Sequence, residues 1–241
     1  MAKVIIFSGA GISAESGIST FRDCGGLWDE YKIEDICTDG CLDWNYDNTI
    51  EFYDKRRLEL EDKLPNKAHI KIKELEEKYP DDIKIITQNV DNLFEKAGCE
   101  DVVHLHGFLT QIKCMECNYI EDIGYSILKD NWDSCPMCKA NLRPNIVFFY
   151  EKAPKYEELY KELNECELLV IIGTSGNVLS PDMLLNSQWR KKDIKYSILN
   201  NLEPSDVIND KLYSKVLYKK ASEAIDEIIE DIENFLDDDI V

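Results

Sequence analysis

The chain has 241 residues with 28 basic and 48 acidic side chains, a formal net charge of -20, which excludes a basic nucleic-acid-binding surface as its governing feature and favours approach of a cationic, lysine-bearing partner. The opening apolar run, Val4-Ile5-Ile6-Phe7, is too short for a signal peptide or a membrane span, so the expectation is a soluble, cytoplasmic monomer with no membrane and no direct nucleic-acid partner. Nine cysteines in a chain of this length, four of them in two Cys-x-x-Cys pairs, read as metal binding rather than a disulfide framework.

In chain order, Val4 to Phe7 is a continuous β-branched run of the kind buried on both faces of a parallel sheet. The stretch Asp29 to Leu64, rich in Asp, Glu, Tyr and Arg, is helical and interrupts the α/β alternation. A helix starts near Asn66, where Ala68, Ile72, Leu75 and Tyr79 share one face, and Pro80 with Asp81 and Asp82 stops it. Strands follow at Ile83 to Ile86 and Val102 to Leu105, then a second interruption, Gln111 to Asn145, carries the cysteine pairs. Leu168 to Ile172, Ile194 to Leu199 and Val216 to Tyr218 complete the strands. A final helix after Ser222 as N-cap sets Ile225, Ile228, Ile229, Ile232, Phe235 and Leu236 on one stripe, with acidic residues opposite. The pattern predicts an α/β fold, a doubly wound parallel sheet of Rossmann type over 1-28, 65-110 and 146-241, with a helical insertion at 29-64 and a small zinc-ribbon module at 111-145.

The first strand leads into Ser8-Gly9-Ala10-Gly11-Ile12-Ser13-Ala14-Glu15-Ser16-Gly17. Small residues there allow backbone amides to approach a phosphate, and a tight structural turn explains them equally well. Arg22, in Ile18-Ser19-Thr20-Phe21-Arg22-Asp23, adds a planar cation suited to a diphosphate. Thr87-Gln88-Asn89-Val90-Asp91-Asn92-Leu93 places amides and a carboxylate at the carboxyl edge of the sheet, where such folds bind ligands. In His104-Leu105-His106-Gly107 the two histidines share a face. Cys114-Met115-Glu116-Cys117 and Cys135-Pro136-Met137-Cys138 are separated by seventeen residues, a zinc-ribbon spacing. Four thiolates saturate a tetrahedral zinc, so the metal is structural; a redox dithiol is the competing reading.

The unbroken stretch from Gly9 to Trp28 resembles the NAD signature of the sirtuin family, and the later motifs follow in the family's order. The resemblance implies an NAD-dependent protein-lysine deacylase acting on acylated lysine in proteins or peptides, with NAD as co-substrate and one structural Zn2+. It implies catalytic roles for His106, Asn89 and Asp91, His106 as general base, and structural roles for His104 and His69. Contacts to NAD are implied for Gly9, Ala10, Gly11, Ser13, Glu15, Arg22, Gln88, Asn89, Asp91, Gly173, Thr174, Ser175, Asn201, Leu202 and Ala221. Val147 and Phe148 resemble the segment that pairs with the substrate peptide, although Tyr150 replaces the family's usual glycine. Nicotinamide, O-acyl-ADP-ribose and free lysine are the implied products.

Tyr53 and Arg56 lie three apart in the helical insertion and so share a helix face. Their Tyr-x-x-Arg pattern resembles the class III sirtuins, which remove succinyl, malonyl and glutaryl groups. Cys37 stands where that class usually has alanine and narrows the acyl pocket. Desuccinylation with weaker deacetylation is therefore expected; a mainly deacetylating enzyme, or an NAD hydrolase or ADP-ribosyltransferase using the same pocket, are the alternatives. The acidic surface and the helix face carrying Lys55, Arg56 and Arg57 also have an ordinary solvated reading.

Overall fold

The computed structural model describes residues 2–19, 31–186 and 191–238. Six strands form one parallel sheet: β1 (Val4–Ser8), β2 (Ile83–Thr87), β3 (Val103–His104), β7 (Leu168–Ile172), β8 (Tyr196–Asn201) and β9 (Lys215–Tyr218). Their order across the sheet is β3-β2-β1-β7-β8-β9, so the winding reverses between β1 and β7. Such a reversal opens a crevice at the carboxyl ends of the two strands. The register pairs Val4 with both Ile83 and Leu168, and Ser8 with both Thr87 and Ile172, which brings the ends of β1, β2 and β7 to one level.

Alternation along the strands explains the layers. Val4 and Ile6 face a core that includes Ala68, Ile72 and Leu75 of the helix Lys67–Lys78 and Ile225, Ile228 and Ile232 of the helix Ala221–Asp238. Ile5 and Phe7 face the opposite core, which includes Leu159 and Leu163 of the helix Tyr156–Leu163 and Leu184 of the short helix Pro181–Leu185. With both faces covered, β1 and β7 are buried along their whole length, the reason their sequences lack polar alternation.

Asn66 caps the helix Lys67–Lys78 by accepting from the Ala68 amide at 3.0 Å, as its sequence predicts. The last helix begins at Ala221, not after Ser222. The carboxylate of Glu15 accepts from the Ser222 amide (3.0 Å) and hydroxyl (2.6 Å), so a distant acid serves the helix start and Ser222 joins the first turn.

The two interruptions form one second lobe. In chain order its helices are α1 (Ile33–Ile36), α2 (Cys41–Trp44), α3 (Tyr46–Glu59) and α6 (Leu128–Asn131), where the helix Lys67–Lys78 is α4 and Leu93–Ala97 is α5. An antiparallel sheet, in the order β5-β4-β6, joins β4 (Gly107–Cys114), β5 (Ile120–Asp122) and β6 (Leu142–Ile146). Ile36, Leu42, Ile50 and Phe52 from the helices share a core with Leu109, Ile112, Leu128 and Leu142 from the cysteine-bearing segment. Arg57 fastens them: its Nε donates to the Leu109 carbonyl at 2.8 Å and its guanidinium pairs with Asp54. Asp54 also accepts from the amides of Leu128 (2.9 Å) and Lys129 (3.1 Å), at the start of α6. The helices Tyr156–Leu163, Pro181–Leu185 and Ala221–Asp238 are α7, α8 and α9. Among the described residues no helix is long and apolar enough to cross a membrane.

Candidate active site

The crevice is built by backbone approach. The amides of Gly9 and Gly11 donate to the carbonyls of Ile172 (3.0 Å) and Gly173 (2.8 Å). A Cβ on Gly9 would lie 2.8 Å from the Gly173 oxygen, and one on Gly11 2.7 Å from the Gly173 Cα. Gly173 itself holds φ +65, with Ile12 N 2.5 Å from a virtual Cβ. These glycines therefore lock the β1 and β7 turns together, and both glycine amides are engaged within the protein. A phosphate-cradling role for those two amides, expected from the sequence, is thus at odds with their hydrogen bonding. Ala10 and Ser13 line the crevice instead.

A cavity of about 550 Å³ opens there and continues into the second lobe, lined by Ala10, Ser13, Gln88, Asn89, Asp91 and His106 at one end and by Cys37, Tyr53, Arg56, Val147 and Phe148 at the other. Residues from three strand ends and both lobes meet in it. Ser13 Oγ donates to Asp91 Oδ2 (2.9 Å) and accepts from Asn89 Nδ2 (3.0 Å). Burial raises the Asp91 pKa, opposed by donation from the Leu93 amide and the Ser13 hydroxyl. Gln88 Nε2 donates to Thr174 Oγ1 at 3.0 Å, tying β2 to the turn after β7. The Ser175 carbonyl in that turn accepts from Ser205 Oγ at 2.7 Å.

The three histidines differ sharply. His69 is buried against the Phe94 ring with neither nitrogen partnered among the described residues, and burial pushes its pKa down to about 4. His104 has both nitrogens occupied, by the Asn89 carbonyl and Glu95 Oε1, each at 2.8 Å. His106 lines the cavity, with Nδ1 3.0 Å from the Gln88 carbonyl and Nε2 3.0 Å from the Tyr156 hydroxyl. A carbonyl only accepts, so Nδ1 carries the proton and Nε2 presents its lone pair. Burial lowers the His106 pKa, partly offset by the bond to Gln88. Gly107 follows at φ +92, and a Cβ there would sit 2.0 Å from the Asn145 carbonyl oxygen where β4 pairs with β6, so glycine is required on both counts.

At the other end, the ring of Tyr53 stacks on Phe148 with centroids 5.5 Å apart, and its hydroxyl donates to Cys37 Sγ at 3.0 Å. Of Lys55-Arg56-Arg57, the Tyr-x-x-Arg pattern singles out Arg56 for the pocket, and the three side chains do part ways. Lys55 pairs outward with Glu51 (3.1 Å), Arg57 is structural, and Arg56 lines the cavity. The segment after β6 is held by Arg143, which pairs with Glu151 at 2.5 Å and lies 4.0 Å from the Phe148 ring centroid; Glu151 Oε2 also accepts from the Phe148 amide at 2.8 Å. The Phe149 backbone bridges to Thr38, and the Val147 amide donates to the His106 carbonyl at 2.8 Å. Tyr150 holds φ 72 and is 90% exposed at the cavity mouth.

The four expected metal ligands converge: the sulfur atoms of Cys114, Cys117, Cys135 and Cys138 all lie within 4.8 Å of one another. Cys114 and Cys138 are 3.4 Å apart, Cys117 and Cys135 3.6 Å. Tetrahedral zinc with Zn–S bonds of about 2.3 Å sets sulfur-sulfur edges near ~3.8 Å, so the cluster fits a structural zinc with four protein ligands and no open position. The amides of Glu116 and Cys117 donate to Cys114 Sγ (3.3 and 3.4 Å), which suits a thiolate.

Of the remaining expected nucleotide contacts, Arg22 lies outside the described residues. Glu15 does not line the cavity; its carboxylate is engaged at Ser222, beside Ala221, which opens α9. Asn200 directs its side-chain amide to the carbonyls of Leu217 (3.0 Å) and Lys219 (2.9 Å), a β8–β9 tie, while Asn201 ends β8 and Leu202 is 64% exposed just beyond. Cavity residues without a sequence signal include Tyr156, whose contact with His106 joins positions fifty residues apart, and Asn177, in the loop after β7.

A sequence model of the Sir2 family matches residues 9–180. The chain is 46% identical over 239 residues to an NAD-dependent protein deacylase of Campylobacter jejuni (strain RM1221), covering 99% of each. It is 40% identical over 255 residues to an NAD-dependent protein deacylase of Helicobacter hepaticus, covering 98% of this chain and 99% of the relative. Its structure superposes on a crystal structure of a Sir2 homologue in complex with NAD with TM-score 0.82 and 30% identity, over 97% of this chain and 90% of that one. A doubly wound sheet, a cavity at its switch point, a four-cysteine cluster and likeness along the whole length agree, and the chain belongs to the Sir2, or sirtuin, family.

Proposed function

We propose that this chain is an NAD-dependent protein-lysine deacylase whose preferred acyl groups are short and acidic, succinyl and malonyl ahead of acetyl. The observation that carries the reading is one continuous cavity, with His106, Asn89 and Asp91 at the nucleotide end and Arg56 with Tyr53 at the acyl end. Bound NAD supplies an electrophilic ribose carbon with nicotinamide as its leaving group. His106 is proposed as the general base, since its Nε2 bears a lone pair and burial favours the neutral ring. Asn89 and Asp91, fixed through Ser13, position the nicotinamide ribose and its carboxamide. Gln88 and Ala10 line the nucleotide end and Val147 with Phe148 the acyl-lysine channel; the Gly173-Thr174-Ser175 turn, Asn201, Leu202 and Ala221 are proposed as further dinucleotide contacts on their resemblance to the family's motifs.

Arg56 supplies a guanidinium for an acyl carboxylate and Tyr53 a second donor. The Tyr53 hydroxyl rests on the Cys37 thiol, a weak acceptor that a carboxylate outcompetes, so Cys37 does not block this use. Incubation with NAD and a mixed library of acyl-lysine peptides, read by mass spectrometry, tests the proposal. Preferential loss of succinyl and malonyl groups supports it; preferential loss of acetyl groups rejects the acyl assignment.

A further inference from the structure

The phenol of Tyr156, the first residue of α7, meets the nitrogen of His106 on which base catalysis depends. Its hydroxyl is 3.0 Å from Nε2, and the two rings lie 6.1 Å apart between centroids at 46°. Because Nδ1 donates to the Gln88 carbonyl, Nε2 is an acceptor and the phenol is its donor. Tyr156 is half-buried and lines the same cavity as His106, Gln88 and Asn89, so its hydroxyl stands on the substrate side of the imidazole. We infer that Tyr156 is a positioning residue that, in the free site, occupies the place taken by a ribose hydroxyl in the loaded one, holding the His106 ring in its reactive tautomer until substrate displaces it.

The inference rests on the reading of His106 as the base. Its physical content is an exchange: an incoming ribose hydroxyl can reach Nε2 only when the phenol–imidazole bond breaks, so the bond pre-sets the ring and also competes with the nucleotide. A net hydrogen bond of ordinary strength changes an equilibrium by roughly two- to tenfold.

Tyr156→Phe keeps the ring and removes the hydroxyl. NAD binding to the folded variant, measured by calorimetry, is expected to tighten severalfold, because the competitor for Nε2 is lost. With only three histidines in the chain, imidazole nitrogen-15 resonances give a second readout. The His106 Nε2 signal of the wild type should move on adding ADP-ribose, and in the free Tyr156→Phe variant it should already be displaced from its wild-type position. Unchanged or weaker NAD affinity with an unmoved Nε2 signal in the variant overturns the inference. Failure of the underlying reading looks different: His106→Ala would then retain deacylation, whatever stands at position 156.

Discussion

Arg56→Met probes the acyl end of the cavity most directly. Arg56 sits one helical turn from Tyr53 on α3 and lines the cavity, whereas its neighbour Arg57 serves the fold. A charge-assisted hydrogen bond to a carboxylate contributes ~1.5–3 kcal/mol, so removing it should lower kcat/KM for a succinyl-lysine peptide by about tenfold to 150-fold. Methionine preserves length and apolar volume beside Phe52, over whose ring the guanidinium lies at 5.9 Å from the centroid. An acetyl group has no carboxylate to lose, and its turnover should stay nearly constant. The assay is initial-rate deacylation of two peptides of identical sequence, one succinylated and one acetylated, at saturating NAD. Equal losses on both peptides would refute the reasoning, since they would place Arg56 in support of the site and not in recognition of the acyl carboxylate. Cys37→Ala in parallel frees the Tyr53 hydroxyl and should leave desuccinylation intact or raise it.

Other consequences are equally direct. His106→Ala should keep the fold and bind NAD yet lose deacylation, checked by circular dichroism, calorimetry and peptide turnover. The base works deprotonated, and burial holds its pKa below the ordinary 6.5, so the acid limb of kcat/KM should have its midpoint below pH 6.5; a midpoint above 6.5 contradicts this. Metal analysis should find one zinc per chain, and a strong chelator should lower the melting temperature and abolish activity until zinc is restored. Arg57→Met leaves Asp54 buried without its cation and should destabilise the fold by about 3–5 kcal/mol in urea titrations, through lost attachment between the lobes.

The main sheet was legible because burial on both faces leaves runs such as Val4 to Ile6 and Leu168 to Ile172 with no polar interruption. Strand ends were less so. β8 runs Tyr196–Asn201, later than Ile194 to Leu199, because its limits come from pairing Leu168 with Tyr196 and not from composition. In the site, residues adjoining a strand end were readable: Gln88, Asn89 and Asp91 follow β2, and His106 follows β3 within two residues. The cysteine spacing likewise announced a cluster that the fold assembles. What local sequence hides is the use of each group once the chain has folded. Glycine amides that look open to phosphate are consumed between the β1 and β7 turns. Glu15 is claimed by a helix more than two hundred residues away. One of two adjacent arginines is buried as a fastener only because Leu109 and Asp54 converge on it.

The measurement that bears most directly on the whole account is product stoichiometry under single-substrate control. With NAD and a succinylated peptide, nicotinamide, O-succinyl-ADP-ribose and free lysine should appear in equal amounts, and omission of the peptide should leave NAD intact. Nicotinamide released at the same rate without any acyl-lysine, or lysine freed with no NAD consumed, would contradict it.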